Sequence, residues 1–281
     1  MSYALYIIVI QVGGVIVKRY IVTTCINQTK DGMLWVGTSS RGIYKYDPKT
    51  IRNITTTEGM FRETVITKIL PVSGDIIWVG NSYKGLMKIV DEKVEKVYNT
   101  ADGLFSNQIW DIREDSKGNL WLGTALGLSY FDGEKFINYT KDSHGLPQNY
   151  IYNIDIDNDG LLWFIALEGL FSFDGKNVKK YGIKEGLFEI FNRMGDLHIM
   201  EDGKIVLAAY QSGISFFEDG KFTNYTTENG LIDNRIWDID EDSKGNLWIA
   251  TDGNGVQMFD GKEFTHYGVK DGIPMGETWS I

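Results

Sequence analysis

The heptapeptide Asp115-Ser116-Lys117-Gly118-Asn119-Leu120-Trp121 occurs a second time, letter for letter, as Asp242-Ser243-Lys244-Gly245-Asn246-Leu247-Trp248. Looser versions fill the chain around these two: KDGMLWVGT from Lys30, SGDIIWVGN from Ser73, DNDGLLWFI from Asp157 and EDGKIVLAA from Glu201. The anchor position is Trp35, Trp78, Trp121, Trp163, Leu207 and Trp248, in steps of 43, 43, 42, 44 and 41. A period this regular marks a repeat architecture, in which each unit buries its apolar face only against its neighbours.

Each unit parses into four short strands. In the third, NQIWDIRED (107–115) is followed by the tight turn Ser116-Lys117-Gly118, then NLWLGT (119–124), GLSYFDG (127–133) and KFINYT (135–140). Gly, Asn and Asp punctuate every junction, and no stretch sustains a 3.6-residue apolar period, so helices are not expected. Four antiparallel strands in about 42 residues is the dimension of a β-propeller blade. The expected fold is therefore an all-β propeller in a single domain over 1–281. Its repeats run at about 23–64, 65–106, 107–148, 149–191, 192–233 and 234–276.

The leftovers suggest a seventh blade. Val17-Lys18-Arg19-Tyr20 matches Val178-Lys179-Lys180-Tyr181, and GIPMGETWSI (272–281) matches GLIDNRIWDI (230–239). A blade split between 1–22 and 277–281 would join the two termini in one sheet and remove an open edge. The alternative is six blades plus a capping hairpin. The apolar run 4–17 carries no charge but is too short to span a bilayer. It also lacks the basic flank and cleavage site of a signal peptide, so it reads as two strands around Gly13-Gly14.

Composition excludes several function classes. The chain has 281 residues and a net charge of −10, which disfavours nucleic acid and anionic membranes as partners. One cysteine, Cys25, rules out a disulfide framework and thiolate metal clusters. Three histidines (His144, His198 and His266) offer little for a metal centre, and no nucleophile–base–acid set can be assigned. Asp155 to Gly160 reads D-x-D-x-D-G like the start of a calcium loop. Ala166 stands where the twelfth-position Glu should be, so turn architecture is the better reading. No metal, cofactor or catalytic residue is expected.

Gly145-Leu146-Pro147, Asn149, Ile151, Ile154, Asp157, Gly160, Leu162 and Trp163 form one pattern, continued in the third copy by Gly123, Thr124, Gly127 and Leu128. This pattern resembles the two-component regulator propeller repeat. The resemblance implies the extracytoplasmic, periplasmic sensing region of a hybrid sensor kinase, often one regulating polysaccharide use. Streptogramin lyase, a propeller of similar repeat length, is the enzyme alternative, and a protein-docking scaffold is the structural one.

In a ring of copies, function should sit where the copies differ. The loop from the anchor to the Gly opening the third strand spans seven positions in copies one, two and six, and six in the others. The longer loops carry Arg41, Tyr83, Lys84, Asp252 and Asn254. A second variable position follows the repeated Asn: Gln108, Tyr150, Arg193 and Arg235. These nine residues are the expected ligand-binding set on the loop face. The ligand would be a small molecule or oligosaccharide, with an anionic group such as a uronate as one option for the two Arg; a partner protein domain is the other candidate. The competing reading pairs the Arg with nearby acids such as Glu185 or Glu228.

Overall fold

The computed structural model describes residues 7–12, 15–20, 23–29, 31–47, 50–54, 64–72, 75–147, 150–166, 169–188 and 194–273. The fold is an all-β β-propeller with six four-stranded blades, each an antiparallel meander in chain order. The blades span 23–53, 66–98, 109–139, 153–181, 194–225 and 236–267. Residues 1–138 and 139–281 form two compact units.

Among the described residues there are six blades and not seven. Ile7–Val12 and Val15–Tyr20 pair with each other from Ile7↔Tyr20 to Val12↔Val15 and make a two-stranded sheet. No further described strand joins it, and the proposed C-terminal contribution at 277–281 lies outside the described residues. Sequence similarity to an outer strand reported strand propensity here; it did not report the partner. Among the described residues, helical structure is confined to single turns. Lys141–His144 is capped by Thr140, and three short 3-10 turns lie at Thr100–Asp102, Ile183–Glu185 and Val269–Asp271.

The core lies between consecutive blades. In the first unit, Cys25, Trp35 and Ile43 of blade one pack on Ile66, Ile69 and Met87 of blade two. Trp78 and Tyr98 of blade two pack on Ile109, Leu122 and Phe131 of blade three. The second unit repeats this: Trp163 and Leu170 meet Leu197, Leu207 and Phe217, and Val206 and Ile214 meet Ile236, Leu247 and Phe259. The anchor is thus blade-to-blade packing at Trp35, Trp78, Trp163 and Leu207, all buried. Trp121 and Trp248 stay half-buried, leaning on Tyr130 and Tyr267 of their own blades.

The turn aspartate does more than close its hairpin. Asp242 accepts from the Lys244 and Asn246 N–H groups, the Asn246 amide and, at 3.1 Å, the indole N–H of Trp248. The Asn246 and Trp248 side chains hold its carboxyl well below the usual value. Asp157 likewise accepts from Trp163 Nε1 at 2.7 Å. In blade one Thr29 replaces the aspartate, and the buried Trp35 indole N–H has no acceptor. Two acids of the calcium-like stretch are held by backbone: Asp155 accepts from Ile199 N–H of the next blade at 3.0 Å, and Asp157 from Asp159 and Leu161 N–H.

The first strand carries a bulge in five blades. Its register shifts around Thr24, Thr67, Trp110, Gly195–Asp196 and Trp237. At two of them the bulged threonine reaches the next blade: Thr24 donates to the Ile66 carbonyl at 2.5 Å and Thr67 to that of Ile109 at 2.6 Å. An extra residue that bends a strand and re-aims its side chain explains the stitching.

Candidate functional site

The loop between the second and third strands is built the same way in blades one, two, three and six. Thr38, Asn81, Thr124 and Thr251 each bond across the loop to the carbonyl of its closing glycine, at 2.7 to 2.8 Å. Asn81 also accepts from Tyr83 and Lys84 N–H, which leaves the Tyr83 side chain 62% exposed. Arg41 is exposed, and its carbonyl accepts from Asn53. His266 holds the equivalent Asn254 carbonyl at 2.7 Å, so this histidine supports the loop backbone. Each loop lies beside the start of a first strand: Ala125 N–H donates to Gln108 O, and Asp252 N–H to Arg235 O.

Three of the nine expected residues come together with two that sequence reading missed. Arg235 Nε and Nη2 grip the two oxygens of Asp233 at 3.1 and 2.7 Å, and Nη1 reaches Asp252 at 2.8 Å. Nη2 also donates to the Asp252 carbonyl at 3.1 Å. Tyr210 Oη donates to Asp252 at 3.1 Å, and Asn254 Nδ2 to Asp233 at 2.7 Å. Tyr210 in turn lies against Trp237, ring centroids 4.8 Å apart. Gln257 is buried and ties the segment ahead of Asp233 down, accepting from Ile232 N–H and donating to Gly230 O.

Both carboxylates are buried, while the Arg235 side chain stays 42% exposed. Burial opposes the charged form of Asp233, but Arg235 and Asn254 outweigh it and keep its carboxyl below the usual value. Asp233 in turn raises the Arg235 guanidinium. Two carboxylates against one guanidinium leave the cluster with one net negative charge. The partners of Arg235 are therefore Asp233 and Asp252, not Glu228 or Glu185. Alanine at 235 strands two buried carboxylates, so it should destabilise the fold by about 2 kcal/mol, below the fully buried range because the guanidinium is partly solvated. Denaturant titration checks this; a midpoint equal to wild type would mean the pairs carry no weight.

The missed residues had weak signals. Asp233 occupies the position of Ser106, whose hydroxyl makes the same local bond to the N–H two residues on. Tyr210 stands where four of the other copies have Thr or Asn and the fourth copy has Ala166. Of the remaining expected residues, Gln108 is half-buried, and Tyr150 is 53% exposed and stacked on Tyr152 at 6.3 Å. Arg193 lies outside the described residues. Lys84 is half-buried in its loop.

The third and sixth copies, residues 103–125 and 230–253, match the two-component regulator propeller family. No curated protein matches the chain. Among solved structures it is similar to the extracellular domain of a putative one-component system from B. thetaiotaomicron, at 17% identity and a TM-score of 0.74. That match covers 92% of this chain but 35% of the other, so the chain spans about a third of its length. It is also similar to virginiamycin B lyase from Staphylococcus aureus, at 16% identity and a TM-score of 0.69, covering 90% of this chain and 87% of the lyase. At these identities the likeness shows the fold. The chain carries two-component regulator propeller repeats and folds like the extracellular domains of such regulatory systems.

Proposed function

We propose that the chain is a non-catalytic, ligand-sensing propeller, the extracytoplasmic sensor part of a hybrid two-component regulator, and that its ligand is an oligosaccharide. One observation carries the reading: three residues at positions where the copies differ, Arg235, Asp252 and Asn254, converge with Asp233 and Tyr210 into a fixed array of donors and acceptors. Directional polar groups locked by one another are what a hydroxyl-rich ligand needs, since they pay little ordering entropy on binding. The net negative charge favours a neutral sugar over a uronate or sulfate. Among the described residues His144 meets the Ser143 hydroxyl, His198 lies beside Glu241 and His266 is spent on a loop carbonyl; no one histidine joins a nucleophile to an acid, which favours a binding role over lyase chemistry.

A glycan array on the purified protein tests this, with hits titrated by calorimetry. Asn254→Ala, at an exposed position, should weaken a neutral oligosaccharide about fivefold or more, the loss of one hydrogen bond, with melting lowered only slightly by the lost bond to Asp233. Lys262→Ala, at the opposite strand end of the same blade, should leave affinity alone. An array without hits, or an Asn254 variant that binds like wild type, would sink the reading. Cleavage of the bound sugar, seen by mass spectrometry, would replace sensor by enzyme.

A further inference from the structure

At the opposite strand ends of blades four to six, the second unit holds a groove of about 430 Å3. That is within the usual size of small-ligand pockets. Its apolar lining is Ile156, Ile199 and Met200, and its polar lining includes His198, Glu201 and Glu241. The Glu241 side chain is only 7% exposed, and no Lys or Arg pairs with it among the described residues. Its Oε2 accepts from Glu201 N–H at 2.8 Å and lies 3.5 Å from His198 Nε2. That imidazole nitrogen is shielded from solvent and makes no hydrogen bond. A carboxylate this shielded, with only a histidine beside it, is costly unless something supplies further charge and donors.

We propose that this groove binds an alkylammonium ligand. The ammonium has three donors, enough for the Glu241 carboxylate and for Glu201 at the rim. The alkyl stem lies on Ile156, Ile199 and Met200. Asp242, also at the groove, is committed to its turn and to Trp248. This site is separate from the Arg235 cluster and stands or falls independently of it.

The test is a titration of the protein, labelled at its methionine methyls, with 1,5-diaminopentane, the Met200 signal being assigned by Met200→Leu. A saturable shift of that methyl is expected, with a dissociation constant of about 1 mM or tighter. Added salt should weaken it by screening, and Asn254→Ala should leave it unchanged. Glu241→Gln keeps the acceptor for Glu201 N–H and should lower affinity about tenfold or more, a loss of about 1.4 kcal/mol. The uncharged 1,5-pentanediol should not bind. No saturable shift by about 10 mM, or equal binding of the diol, overturns the proposal. Since the diol and salt comparisons use the wild-type protein, a Glu241 variant that fails to fold does not rescue it.

Discussion

Trp163→Ala is expected to lower the unfolding free energy by roughly 3–5 kcal/mol, the range for a large aromatic removed from a core. The indole is 7% exposed and sits across a blade boundary, its centroid 5.4 Å from Tyr181 and 5.9 Å from Phe217 of the next blade. Truncation opens a cavity between two sheets that cannot close without sliding one blade on another. It also deprives Asp157 of its 2.7 Å indole donor at the turn. Trp121→Ala, at a half-buried anchor, should cost clearly less. Denaturant unfolding of both variants decides it. Equal losses would mean that burial between blades is not what the repeated Trp supplies.

Gly213→Ala is expected to cost about 2–5 kcal/mol, from left-handed backbone strain and overpacking together. The residue has φ +82°, and an added Cβ would overlap the Tyr225 carbonyl oxygen of the neighbouring strand. A backbone atom cannot swing away as a side chain does, so blade five must open at its third and fourth strands. Gly213 N–H also donates to Asn234 O at 2.9 Å, immediately before Arg235, so the same variant should disturb the Arg235 cluster. Gly203→Ala is the control: φ is +89°, but nothing lies within 4 Å of the new Cβ. It should cost only about 1–2 kcal/mol of conformational strain. Similar melting temperatures for the two variants would show that the sheet absorbs the clash.

The blades were legible in the chain because repetition makes local and tertiary information the same. Within each unit consecutive copies meet in the same way, so a Trp recurring every 41 to 44 residues reports packing, and a D-x-x-G reports a turn. Four of the six anchors are buried, and the turn aspartates close their hairpins as the spacing implies. The indole-to-aspartate bond six residues apart was also in the spacing, but only strand register shows that the two side chains meet.

What tertiary structure alone decided lies where symmetry gives no help. The N-terminal segment has outer-strand sequence yet pairs within its own hairpin, because strand propensity does not choose a partner. Arg235 had several acids within reach along the chain. The path of the loop through Gly230 to Asp233, pinned by Gln257, and the fold-back of Asp252 selected two of them. His198 and Glu241 stand 43 positions apart and face one groove only because neighbouring blades align their first strands. A side chain's period says which face it occupies; which charge waits opposite depends on the backbone of the next blade.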